Sequence, residues 1–222
     1  MKKSVLLSCP TLKRELLQAA RENGFSYPIY FLPPQLHSSP ENLREYLQQR
    51  IDALEDVEQI LLCVSGCGGG TVGLKATSGD LILPKTRDCL DILLSQKGLE
   101  DIQRPQNAIF ITEDWAEFMN GLKARFEAQA QEKGEEYAKE AVRMMFQGFE
   151  DFYVIDTGVY DTKKVEEDIG PLVKILKGRI HKVSGGYGIL RKLTAGKFDE
   201  DFIMVKKGEQ VRKEDFTFTD PI

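Results

Sequence analysis

The chain has 222 residues, 41% of them hydrophobic and 29% charged, and a net charge of −5. These are the proportions of an ordinary globular protein, and no apolar run approaches the roughly 18 residues of a membrane span. Acidic and basic residues are interspersed and no basic block occurs, so neither a membrane nor nucleic acid is expected as a partner.

The apolar run in MKKSVLLSCPTLKREL is too short for a signal peptide and is followed at once by charge, so it reads as a first strand, Ser4 to Ser8. That strand ends at Cys9-Pro10, and Thr11 is placed to cap a helix whose apolar positions are Leu12, Leu16 and Ala19 or Ala20. Asn23-Gly24 stops this helix, and Tyr27 to Leu32 forms a second strand closed by Pro33-Pro34. His37 then falls in a loop, and Ser39-Pro40 opens a helix running to about Leu54.

Ile60 to Val64 is a short apolar run, the signature of a strand covered on both faces. It leads into Ser65-Gly66-Cys67-Gly68-Gly69-Gly70, where the backbone is freed from side-chain sterics. Asp80 to Leu83 is a fourth strand, and Thr86-Arg87-Asp88-Cys89 begins a helix that buries Leu90, Leu93 and Leu94. Polar Gly98 to Gln106, which contains Pro105, reads as a linker or crossover.

The second half alternates again. Ala108 to Thr112 is a strand, and a charged helix covers Asp114 to Glu132, interrupted at Gly134 before a second helical stretch, Glu135 to Gln147. Phe152 to Asp156 is a strand ending in DTGVYD, Val165 to Leu176 a helix, Arg179 to Val183 a strand, Tyr187 to Thr194 a short helix, and Phe202 to Val205 a last strand. The pattern predicts an α/β fold with parallel sheets, in two Rossmann-like lobes (residues 1–100 and 101–222) with a cleft between them.

Chemistry concentrates in the first half. Open α/β sheets place their sites at the carboxyl ends of strands, and Cys9, His37, Cys67 and Cys89 all follow strands there. Soft thiolates with one imidazole suit Zn2+ or another thiophilic ion. The competing reading is buried structural cysteines plus a surface histidine, and Cys63, inside an apolar strand, belongs to that class. The glycines Gly66, Gly68, Gly69 and Gly70 would let the chain approach a cofactor, although the loop is neither a P-loop nor a dinucleotide fingerprint. Tyr187, after a second glycine turn, is the other candidate cofactor contact. Asp88 reads as a helix cap and Glu15 as a solvated charge. Asp156 either caps the next helix or faces the cleft, and Trp115 reads as core or lobe contact. An even cysteine count suggests disulfides, but the chain is large and shows no secretion signal, so reduced thiols in the cytoplasm are expected.

The ordered motifs SCPTLKREL, LPPQLHSSPENL, VSGCGGGTVGL, LPKTRDCLDILL, FITEDW, VIDTGVYD and GILRKLTAGKFDEDFIMVKKGEQV resemble the prokaryotic family called domain of unknown function 1638, from Cys9 to about Val211. The family's pattern has a cysteine after the first strand, a Leu-His before a proline, a Cys-Gly in the loop and an Asp-Cys before the leucine-rich helix. These positions correspond to Cys9, His37, Cys67, and Asp88 with Cys89. Val-Ser-Gly precedes Cys67 where an aromatic-glycine pair is commoner. The resemblance implies a setting beside corrinoid-dependent methyltransferase systems. The expectation is therefore a cytoplasmic metal-binding protein, Zn2+ first, acting in corrinoid-linked methyl transfer or one-carbon metabolism. If it is an enzyme, it would be a metal-dependent methyltransferase type. The alternative is a non-catalytic accessory protein holding a corrinoid, a corrinoid protein or a small molecule in the inter-lobe cleft.

Overall fold

Strands and helices make up the computed structural model, which describes residues 2–100 and 102–216, with backbone alone at 37, 38, 118, 120 and 122. The chain divides into two compact units, Met1–Asp101 with Gly186–Ile222, and Ile102–Gly185. The α/β class with parallel sheets is as expected. The boundary differs from expectation, because the segment from Gly186 onward belongs to the first unit and not to a second lobe spanning residues 101–222.

The first unit is built on β1 (Ser4–Ser8), α1 (Lys13–Glu22), β2 (Ile29–Phe31), α2 (Pro40–Asp52), β3 (Gln59–Cys63), β4 (Asp80–Pro84) and α3 (Cys89–Leu94). Its sheet order is β2-β1-β3-β4, all parallel, and the late strand β8 (Phe202–Val205) closes the β4 edge antiparallel, with Leu83 opposite Ile203. A sequence cannot announce that edge: Phe202–Val205 is an apolar run that any open sheet edge would accept.

Alternation explains why these strands are apolar throughout. Val5, Leu7, Ile60 and Leu62 cluster with Leu43, Leu47 and Ile51 of α2, while the intervening Leu6 and Leu61 are fully buried as well. A strand with both faces covered shows no polar period. α7 (Gly188–Thr194) packs on α1, where Asn23 Nδ2 donates to Arg191 O at 2.9 Å and to Thr194 Oγ1 at 2.8 Å.

Caps follow sequence in part. Ser39 Oγ accepts from Asn42 N at 3.2 Å with Pro40 at the first position, and Asp88 Oδ1 accepts from Leu90 N at 3.0 Å and Asp91 N at 3.2 Å. Thr11 does not cap α1. A 3-10 turn, Pro10–Leu12, precedes that helix and leaves Leu12 as its cap residue.

The second unit is a three-stranded parallel sheet of β5 (Ala108–Ile111), β6 (Asp151–Asp156) and β7 (Arg179–Ser184), in that order, with the helices α4 (Glu113–Lys133), α5 (Glu135–Met145) and α6 (Thr162–Leu176). Ile111, Phe152 and Val154 bury against Val165, Ile169 and Val173 of α6, and Trp115 packs on this core. Asp161, and not Asp156, caps α6 by accepting from Lys163 N at 3.0 Å. Asp156 Oδ1 instead closes its own turn onto Gly158 N at 3.1 Å.

Candidate functional site

β1 lies between β2 and β3 in the sheet. The chain leaving β1 goes to β2 on one side, and the chain leaving β3 goes to β4 on the other. The carboxyl ends of β1 and β3 therefore form a topological switch point, the place where open α/β sheets leave a crevice. All four cysteines are there. Cys63 ends β3, Cys9 follows β1 and donates its amide to Cys63 O at 3.1 Å, Cys67 lies in the loop after β3, and Cys89 opens α3.

Cys89 is the hub. β4 is separated from β1 by β3, so the segment 85–88 must cross the end of β3 to bring Cys89 towards Cys9. Backbone bonds hold that crossing in place: Gly66 N donates to Thr86 O at 3.0 Å and Cys67 N to Arg87 O at 2.7 Å. Buried Ser65 and Thr86 join their hydroxyls beneath it, and Thr71 Oγ1 donates to Ser65 O at 3.1 Å. Arg87 is tied to its own helix, Nε to Asp91 Oδ2 at 2.7 Å and a terminal nitrogen to Oδ1 at 3.0 Å.

The Cys9 and Cys89 thiols are hydrogen-bonded to each other, and the Thr11 hydroxyl sits against both, 2.9 Å from Cys9 Sγ and 3.4 Å from Cys89 Sγ. Thr11 has one proton and donates it to Cys89 Sγ, so in the Cys9–Thr11 contact the thiol of Cys9 donates. Cys89 in turn donates to Cys9. The three groups close a triangle. Its hydrogen bond to Cys9, together with burial, raises the Cys89 thiol well above the usual range. Burial pushes the Cys63 thiol up to about 12, despite a hydrogen bond with Ser8. Burial, with Cys89 and Asp88 close by, raises Cys67 too. All four cysteines are free thiols.

The backbone at Cys67 is unusual, with φ at +44°, a left-handed conformation that a residue with a Cβ adopts only when its surroundings impose it. Here the two backbone bonds to residues 86 and 87 impose it.

The glycines of this loop serve the chain itself. A Cβ at Gly66 would stand 2.9 Å from Arg87 O, and one at Gly70 would stand 2.8 Å from Leu43 Cδ2. Gly69 N and Gly70 N donate to Gly66 O and Cys67 O at 2.8 and 3.2 Å, and Arg44 donates to Gly69 O at 2.8 Å. Amides spent in this way do not cradle a phosphate. Gly68, at φ +65°, turns the chain beside Pro40.

Other candidates lie elsewhere. His37 has its backbone in a 3-10 turn, Pro34–Ser38, and its side chain lies outside the described residues. The Tyr187 hydroxyl donates to Glu22 Oε1 at 2.9 Å, and the Arg191 guanidinium stands 4.2 Å over its ring. Glu22 ends α1, so ten residues of helix, roughly 15 Å, separate it from the thiols. Gly186 and Gly188 are needed for close packing, since a Cβ there would meet Gln96 Cα at 3.0 Å and Gln96 O at 2.5 Å. Glu15, expected to be solvated, is fully buried in the first turn of α1. Thr11 is the site residue that reading for caps misplaced. The signal was its position two residues after Cys9 across a proline, which starts a 3-10 turn and swings the hydroxyl back to the thiol.

Among the described residues no three His, Cys, Asp or Glu side chains form a group arranged to hold a metal ion, and no helix is long and apolar enough to cross a membrane. A family model described as Protein of unknown function (DUF1638) matches residues 31–194, a span that includes His37, Cys67 and Cys89 but not Cys9. No curated protein and no solved structure matches the chain.

Proposed function

The chain belongs to the DUF1638 family, and on that premise we propose that it binds a thiophilic metal ion, Zn2+ first, at the thiols of its switch point. The observation that carries this reading is the Cys9–Thr11–Cys89 triangle, in which thiols 80 positions apart in sequence meet at one crevice. The pair Cys9 and Cys89 supplies two soft donors already in contact. Cys67, electrostatically coupled to Cys89, is the third, and His37 is the ligand assigned to the fourth position by its place after β2. Among the described residues Cys67 must move towards the Cys9–Cys89 pair to complete a set of three thiols.

The thiol chemistry supports it. Burial raises the Cys67 thiol, and the hydrogen bond to Cys9 together with burial raises that of Cys89. A dication is the partner that reverses this preference for the protonated form, because a metal-bound thiol is a thiolate at neutral pH. Four free thiols gathered at one edge also suit the cytoplasm, where they stay reduced. A role in corrinoid-linked methyl transfer, or as an accessory protein for a corrinoid, rests on the family resemblance alone.

Elemental analysis of protein purified without oxygen tests the reading. About one equivalent of zinc or iron, lost in both Cys67→Ala and Cys89→Ala but kept in Cys63→Ala, is the expected result. Wild-type protein that is folded, free of metal and unable to take up Zn2+ at micromolar concentration overturns it.

A further inference from the structure

The two sulfurs of the triangle differ in one respect that orders their chemistry. Cys9 is completely buried, whereas Cys89 is half-buried at the start of a six-residue helix. We infer that Cys9 and Cys89 form a reversible disulfide, closed by exchange with a low-molecular-weight disulfide. The inference uses thiols that also serve the proposed metal site but does not depend on a metal: it needs only that the pair is in contact and that one member can be reached.

The Thr11 hydroxyl marks this pair, lying against both sulfurs. Cys63 sits at the end of β3, fixed by the β1–β3 ladder and hydrogen-bonded with Ser8. Cys67 is pinned by its amide to Arg87 O. Cys9 and Cys89 share the hydroxyl of Thr11 and touch each other. Closing the bond brings the two sulfurs to about 2 Å, and both residues stand where strand gives way to turn or helix.

The chemistry balances as two exchanges. Cys89, the less buried of the two thiols, attacks one sulfur of the small disulfide through the minor thiolate fraction that its raised pKa leaves. That S–S bond breaks, and one small thiolate leaves and takes up the proton that Cys89 gave up. The buried Cys9, as thiolate, then attacks Cys89 Sγ and releases the second small thiol, which carries the Cys9 proton. Two S–H bonds are lost and one protein S–S bond is formed, while the small disulfide is reduced by two electrons to two thiols. A buried resolving thiol beside a reachable attacking one keeps the mixed disulfide short-lived.

Peptide mapping reads this directly. Trypsin separates the cysteines into residues 4–13 (Cys9), 51–75 (Cys63 and Cys67) and 88–97 (Cys89). Metal-stripped protein is equilibrated with oxidised and reduced glutathione at graded ratios, quenched in acid, alkylated and digested. The expected product is 4–13 joined to 88–97, two hydrogens lighter than the separate peptides, accumulating with the proportion of oxidised glutathione and lost on treatment with dithiothreitol. Cys89→Ser is expected to leave Cys9 without glutathione. Glutathione that stays on Cys89 without a link, or links that favour the 51–75 peptide, overturn the inference. Measuring Zn2+ uptake on the same preparation separates the two readings. Protein that forms the link but takes up no zinc defeats the metal reading alone. Protein that binds zinc but never forms the link when stripped defeats the disulfide alone.

Discussion

Thr11 Oγ1 lies 3.4 Å from Cys89 Sγ, although 78 positions separate the two residues in the chain. The contact exists because a 3-10 turn after β1 diverts the hydroxyl from helix capping, and because the segment after β4 crosses the end of β3. Thr11→Val removes the shared hydrogen bonds and keeps the shape. The expected loss of stability is about 1 kcal/mol, while the affinity of the thiol pair for a trivalent arsenical falls several-fold. Urea unfolding and arsenical titration check the two parts, and unchanged arsenical affinity would remove Thr11 from the site.

The glycine loop is a packing device by its geometry, which ranks two substitutions. Gly66→Ala drives a Cβ against backbone, Arg87 O at 2.9 Å, whereas Gly70→Ala meets the end of a flexible side chain, Leu43 Cδ2 at 2.8 Å. Gly66→Ala should cost more, in the upper part of the about 1–3 kcal/mol range for overpacking. It should also expose Cys67 to alkylation, because the loop it displaces is bonded to Cys67 N. Unfolding midpoints in urea and alkylation rates of the two variants decide the order.

Asp88 has a defined local task, accepting from Leu90 N and Asp91 N at the start of α3. Asp88→Ala is expected to destabilise by about 1 kcal/mol and Asp88→Asn by a few tenths, since asparagine caps almost as well. Chemical denaturation of the pair tests this. Equal losses would mean that the charge near Cys67 and Cys89, and not the cap, is what matters.

Glu22 sets a pH dependence between α1 and α7. Hydrogen bonds from Arg191 and Gln18 bring its carboxyl down from 4.5 to about 2. A carboxyl depressed in the folded state adds stability that is complete above its unfolded pKa and is lost as pH falls through the folded one. The difference in unfolding free energy between wild type and Glu22→Gln should therefore be steady above about pH 4.5 and shrink towards pH 2. The pair is partly exposed, with side chains 53% and 31% accessible, so solvent screening holds the contribution to about 1 kcal/mol or less. Denaturation curves at pH 7, 4 and 3 measure the trend. A difference that grows on acidification would contradict it.

Much of the fold is legible in the chain. Runs such as Ile60–Val64 announce a covered strand because both faces must be apolar, and Ser39-Pro40 or Asp88 announce helix starts because orphan amides need an acceptor. The return of Phe202–Val205 to β4 is not legible, since pairing is a property of an edge and not of the strand that joins it. For the same reason Gly186–Ile222 leaves the second half of the sequence for the first unit.

The site divides in the same way. Sequence alone placed Cys9, Cys67 and Cys89 at the carboxyl ends of strands, because each follows an apolar run and precedes a turn or helix start. It set Cys63 apart as interior, read Tyr187 as a contact and took Glu15 for a surface charge. Tertiary structure decided which thiols touch, sent Tyr187 to Glu22, buried Glu15 and turned Thr11 into a bridge. The reason is physical: local propensity fixes where a strand stops and a helix begins, over a few residues. Whether two strand ends 80 positions apart share a crevice depends on strand order, and here β3 lies between β1 and β4 so that only the crossing loop can carry Cys89 to Cys9.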